Sequence, residues 1–312
     1  MATTAKFFGN ALLNQYSPTA TSRIDWVNDP ILIALSNGTT PSTANQDAWV
    51  FRSSAGAEVS SAGYVAGGKP LGDTVISGGA PVAISASTGA TPIVLTVPSG
   101  HGIVAADTVF VSNHATNVTA NGQFAVTSVT ATTITLTGST FTAAGGATGT
   151  VQKVSSAIAS STNATPIVVT TAGTHGLSNG DVVTVQNHAT NTTANITGTV
   201  SGVTATTFNL LTYAGANTVG AGVGGPTGTV TKKGIAYDST TNESRLHAGA
   251  VTWTNVTFSP TYAFVYKAVG TNFAAATDIL IGYIDFGGTQ SVVGANFTIQ
   301  FDATGVFKIT AA

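Results

Sequence analysis

Residues 90–121 read ATPIVLTVPSGHGIVAADTVFVSNHATNVTAN, and residues 164–195 read ATPIVVTTAGTHGLSNGDVVTVQNHATNTTAN. The register between them is constant: His175 minus His101 gives 74, and so does His188 minus His114. Roughly half of the aligned positions are identical. Each copy runs on through V-T-A-T-T and an apolar residue into a Gly-rich tail, which ends at Gly149-Thr150-Val151 or Gly228-Thr229-Val230. Self-similarity at a fixed offset marks two tandem copies of one structural unit.

Within each copy apolar residues alternate with Thr or Ser, as in Ile93-Val94-Leu95-Thr96 and Ile134-Thr135-Leu136, and Gly, Asn and Asp cluster between the runs. A period of two punctuated by turn residues predicts short antiparallel strands and no helix. A unit of about five or six such strands closes as a small barrel or sandwich. Between Ile84 and Val230 the only charged residues are Asp107, Lys153 and Asp181, so solubility there rests on hydroxyl and amide groups.

Working outward, the flanks differ in texture, because they hold most of the charge and all three tryptophans, Trp26, Trp49 and Trp253. The first flank offers a short helix at Lys6 to Tyr16, an apolar strand at Ile31 to Leu35 and a helical turn near Ala44 to Phe51. The second is strand-dense: Gly234 to Tyr237, Val251 to Phe258, Tyr262 to Ala268, Ile279 to Phe286, Phe297 to Phe301 and Val306 to Ile309. Neither flank reads as an independent domain, whereas insertion into one loop of a single domain is tolerated when the loop ends lie close together. The expected fold is all-β. A discontinuous host domain, 1–79 with 232–312, forms an antiparallel sandwich or barrel-like body, and it carries two inserted barrel modules at 80–157 and 158–231.

Composition narrows the function. Of the 312 residues only 7% are charged, against about one quarter in a usual soluble domain, and the formal net charge is -2. No basic field exists to attract phosphate, so neither nucleic acid nor a membrane surface is an expected partner. The absence of cysteine excludes disulfides, zinc-thiolate sites and thiol nucleophiles. The N-terminal residues lack the continuous apolar stretch of a signal peptide, and the longest strongly apolar run, Ile31 to Leu35, falls far short of the roughly 18 residues a membrane helix needs.

Several flank segments carry a resemblance: G-Y-V-A-G-G-K-P-L at 63–71, Y-D-S-T-T-N at 237–242, V-T-W-T-N-V-T-F at 251–258, Y-A-F-V-Y at 262–266 and L-I-G-Y-I-D-F-G at 280–287. The chain resembles small virion proteins of tailed bacteriophages, over roughly half its length. The repeats, with T-H-G-L-S-N-G-D-V-V-T-V at 174–185, look like a β-barrel module of phage structural proteins. That module is also related to a catalytic-cysteine half-domain of ubiquitin-activating enzymes; no cysteine is present here, so the relation implies the fold alone. The resemblance implies a capsid decoration or head-fibre type protein, assembled in the bacterial cytoplasm and residing in the virion. The major capsid protein or another virion subunit would be its partner, and it would form a homo-oligomer. A tail or baseplate location and weak host-glycan adhesion are the alternatives.

No residue pattern points to catalysis, a cofactor or a metal. His101 with His175 and His114 with His188 could suggest metal pairs, yet each module supplies one acid, Asp107 or Asp181, where a zinc or iron site needs three or four ligands. Glu243, Arg245 and His247 form the densest ionisable group and read as a solvated hairpin face with weak cross-strand pairs. The Gly220 to Gly225 run lacks the strand and helix of a phosphate loop, and no nucleophile elbow occurs. Two sets of residues are candidates for contact. Lys6, Phe7, Phe8, Leu12 and Tyr16 form an apolar docking segment. Asn113, His114 and Asn117, with their copies Asn187, His188 and Asn191, form exposed adhesive loops.

Overall fold

A computed structural model of the chain describes residues 4–14, 23–71, 81–269, 276–302 and 304–310, and for residues 4 and 12–14 only the backbone. Strand β1 (Thr4–Phe7) leads into helix α1 (Gly9–Asn14), followed by β2 (Ile31–Ser36), helix α2 (Thr43–Ala48) and β3 (Lys69–Pro70). The first repeat supplies β4 (Val82–Ala83), β5 (Ala86–Ser87), β6 (Val94–Thr96), β7 (Thr108–Ser112), β8 (Gly122–Val129) and β9 (Thr133–Leu136). Strand β10 (Thr150–Ser161) passes into the second repeat, with β11 (Ile167–Thr171), β12 (Val182–Gln186), β13 (Thr197–Ser201), β14 (Thr207–Thr212) and β15 (Thr229–Thr231). Then come β16 (Lys233–Asp238), β17 (Glu243–Ala248), β18 (Val251–Phe258), β19 (Tyr262–Lys267), β20 (Ile279–Asp285), β21 (Val292–Ile299) and β22 (Phe307–Thr310). The fold is all-β, as the alternation predicts.

The second repeat closes a six-stranded antiparallel barrel, β10-β11-β14-β13-β12-β15 and back to β10. The first follows the same circuit, with its opening strand split: β4 pairs with β10, β5 pairs with β6, and only Ile84 and Ser85 separate the two. Register in the sequence becomes register in the cores. Ile93, Leu95, Val109, Val111, Ala120, Val126 and Leu136 fill one barrel, and Ile167, Val169, Val183, Val185, Ala194, Val200 and Leu210 occupy the matching places in the other. Alternation buries one side chain in two, and a core of this kind supplies most of a small barrel's stability.

Strand β10 belongs to both barrels. Thr150 to Ser155 pair with β7 and complete the first, and Ser156 to Ser161 pair with β15 and β11 and open the second. It is therefore buried nearly end to end, and the expected module boundary between 157 and 158 falls inside a continuous strand.

The compact units also divide differently from the expectation. Met1–Leu71 with Ala250–Asp302 form one unit; Gly72–Gly249 with Ala303–Ala312 form the other, so β16, β17 and β22, read as host strands, cluster with the barrels. In the first unit, β1-β20-β19-β2-β3 make a five-stranded sheet, and β18 and β21 form a two-stranded ribbon. Strands β2 and β19 are buried at every position, which accounts for runs such as Ile31 to Leu35 that do not alternate. Within the ribbon Phe297 meets Phe258 at 5.4 Å between ring centroids, and it meets Phe286, just after β20, at 5.7 Å, which joins the ribbon to the end of the sheet.

Candidate functional site

The matched Asn-rich loops owe their shape to local chemistry. Asn113 and Asn187 both sit at φ 57°, a left-handed conformation that Asn tolerates better than most residues. Gly149 and Gly228, which follow in the tails, have φ of 84° and 87°, and a Cβ on either would lie 2.5 Å from a loop carbonyl, Ser112 O or Gln186 O. Only glycine fits there, which explains the Gly-Thr-Val that ends each copy.

Asn113 and Asn187 are exposed, but His114, Asn117, His188 and Asn191 are all at least 99% buried. This corrects the expectation of adhesive side chains. Asn117 donates to Ser87 Oγ (3.4 Å) and Thr88 O (3.3 Å), and its carbonyl accepts from Thr119 Oγ1 and from Thr142 N (3.0 Å). Asn191 repeats this with Ser161 Oγ (2.9 Å), Thr162 O, Thr193 Oγ1 and Ala221 N. Each carboxamide ties together three backbone segments, and a donor and acceptor satisfied on both sides is what makes a buried amide tolerable. Burial lowers the pKa values of His114 and His188. The imidazole of His188 meets Ser161 Oγ at 2.8 Å and Thr227 Oγ1 at 3.1 Å.

The few charges of the repeats are paired, a feature the sequence held in plain view. Lys153 Nζ lies 3.2 Å from Asp107 Oδ2, both fully buried, and Lys232 Nζ lies 2.6 Å from Asp181 Oδ2. The acids are 74 residues apart (181 minus 107) and the lysines 79 (232 minus 153), the difference reflecting the longer second tail. Lys153 also donates to Gly102 O of the first barrel and Thr174 O of the second, while Asp107 accepts from Ala157 N. The pair locks the two barrels where β10 crosses between them. Burial raises the pKa of Asp107 and lowers that of Lys232, each partly offset by its partner.

The docking segment does not form the expected helix from Lys6. Thr4–Phe7 instead pair with β20, and helix α1 begins only at Gly9. Lys6 is exposed and Phe7 half-buried, but Phe8 is fully buried, its ring 5.6 Å from Tyr283 and 5.9 Å from Trp49. Phe8 therefore serves its own core and is corrected as a contact residue. Tyr16 and the Leu12 side chain lie outside the described residues.

The ionisable group on β17 is likewise not a solvated hairpin. Glu243, Arg245 and His247 share one face, as the spacing predicts, but that face is buried. Arg245 reaches Glu243 Oε2 at 2.8 Å and Asp238 Oδ2 at 2.9 Å, and Lys308 reaches Glu243 Oε1 at 3.0 Å. Hydrogen bonds from Lys308 and Arg245 pull the Glu243 pKa down to about 2; burial, helped by the Arg245 charge, brings that of His247 down to about 4. The same face packs on the second barrel: Tyr213 lies 5.2 Å from His247, and a Cβ on Gly234 would come within 2.6 Å of Thr197 Cγ2.

The sheet β16-β17-β22 is thus turned inside out. Most of its charges, Asp238, Glu243, Arg245 and Lys308, lie on the barrel side, and its opposite face carries Ile235 (48% exposed), Tyr237 (59%) and Ile309 (43%), with Lys233 at its end. Cross-strand register sets these in two rows, Tyr237-Ser244-Ile309 and Ile235-Leu246-Phe307. A sheet covered on one side ordinarily turns apolar residues inward and polar residues to water.

Comparison with protein families, curated proteins and solved structures finds no match for this chain. Among the described residues no group of three or more His, Asp or Glu side chains is placed to hold a metal ion, and no helix is long and apolar enough to cross a membrane.

Proposed function

We propose that this chain is a structural subunit of a tailed-phage virion, a head-decoration protein that docks on the capsid lattice and adds its two barrels to the particle as rigid polar bulk. The observation that carries this reading is the junction of the barrels: a continuous strand and a buried Asp107–Lys153 pair fuse them into one stiff body. The charges that chemistry would need are spent on holding the fold, in the barrels and in the Arg52–Asp278–Glu58 cluster of the other unit alike. The resemblance of the flanking segments to phage virion proteins supplies the particle. The glycan-adhesion alternative loses its named side chains, since four of the six are buried.

The test is reconstitution. Purified heads lacking the protein are mixed with it at increasing concentration, and bound copies per head are counted after sedimentation. Saturation at a fixed stoichiometry is expected, because many copies on one lattice reinforce weak individual contacts. Absence of binding to heads, with binding to purified tails, would move the protein to the tail.

A further inference from the structure

We propose that the outward face of the β16-β17-β22 sheet is a self-association surface, whose occupant is a second copy of this chain. Ile235, Tyr237 and Ile309 are exposed together on one sheet face, while most charges of the same strands are turned to the other side, the arrangement expected of a face that is covered in the working assembly. Tyr237 adds a rigid ring whose hydroxyl is already engaged, donating to Asn242 Oδ1 at 2.5 Å, so its apolar body can be buried without orphaning a polar atom.

Charge argues for a second copy. The register places one charged side chain on this face, Lys233 at its end, and that residue is 4% exposed. A partner of different identity ordinarily uses charge to set register and reject competitors, and the exposed part of this face offers none. An uncharged apolar face is self-complementary, since two copies meet with no like-charge repulsion, and interfaces between identical subunits are the more apolar class. Area sets the form. Three exposed apolar side chains alone fall short of the roughly 800 Å² per partner of a stable interface. The remainder comes from the sheet's two outer strands, β16 and β22, which each pair on one side only among the described residues. Edge strands supply main-chain hydrogen bonds to a second copy readily.

This inference stands apart from the docking reading, and the experiment separates them. The mass of the full chain is measured by light scattering after size exclusion, from about 0.1 to 100 μM, a range bracketing a micromolar dissociation constant. The expected result is an oligomer that dissociates on dilution. The triple variant Ile235→Ser/Tyr237→Ser/Ile309→Ser should weaken association at least tenfold with an unchanged melting temperature. Ile235→Lys alone, which sets like charges against each other across the symmetric contact, should do the same. A wild-type chain that stays monomeric throughout, or folded variants that associate as tightly as wild type, overturns the proposal. Loss of head binding in the triple variant, with wild type monomeric in solution, would also overturn it and make this face a contact with the particle.

Discussion

The two barrels share one sequence pattern, and the burial of their ion pairs differs with what each abuts. At the inner junction the second barrel covers Lys153 and Asp107, which are 1% and 0% exposed; at the outer one the three-stranded sheet leaves Lys232 and Asp181 at 10% and 16%. Position 134 is Ile in the first barrel and its partner 208 is Phe in the second. His175 accordingly packs edge-on against Phe208 and is fully buried, whereas His101 is half-buried, with its ring 3.2 Å from Thr130 O. Duplication copied the residues that fix the backbone.

The largest expected break in this symmetry is at the ion pairs. Asp107→Ala strands a buried ammonium between two barrels and should cost about 3–5 kcal/mol, while Asp181→Ala, at a wetter site, should cost about 1–2 kcal/mol. Denaturant titration of both variants measures the gap; equal losses would mean that the inner junction is no drier than the outer. Next come the clamps. Asn117→Ala and Asn191→Ala each take the acceptor from a part-buried backbone N–H and the donor from a backbone carbonyl, and each should cost about 1–3 kcal/mol by the same titration. A large difference between them would break the equivalence of the two loops.

Acid sharpens the comparison between the barrels and the sheet beside them. The His247 pKa in the folded chain is about 4, below the usual imidazole value of about 6.5, so the unfolded chain binds the proton first. Stability from this group is complete above pH ~6.5 and is lost as the pH falls towards ~4, amounting to about 1–2 kcal/mol after screening. Glu243, held near 2, extends the loss from its ordinary value of 4.5 downward. Hydrogen exchange at falling pH should find β17 amides losing protection in step with these two titrations, and His247→Phe should remove the upper one. Exchange in β17 that is flat from pH 7 to 4 would count against this account.

The smallest effect concerns one residue. Ala106 is left-handed at φ 67°, and its counterpart in the second barrel is Gly180 at φ 88°, where a Cβ would meet nothing. Gly180→Ala should cost about 1 kcal/mol from backbone conformation alone, and Ala106→Gly should be neutral or stabilising by a few tenths. Melting temperatures of the pair decide it, and a loss in both directions would show that the two turns differ in more than the residue.

The sequence by itself determined the duplication, the all-β class and the turn-rich breaks between strands, because a period of two and the steric demands of turns are written locally. It also placed Glu243, Arg245 and His247 on one face. Tertiary structure alone decided which way that face points, since periodicity separates the two sides of a strand without naming the buried one. The same holds for Asn117 and Asn191, whose turn-forming composition reads as surface until the tail folds over and consumes their hydrogen bonds. Phe8 looked like an exposed anchor on a terminal segment, yet pairing with β20, hundreds of residues away in sequence, carried it into the core. The sharing of β10 between barrels, and the grouping of β16, β17 and β22 with them, depend on long-range strand pairing. Such pairing is selected by the total burial it achieves, which no local stretch of the chain records.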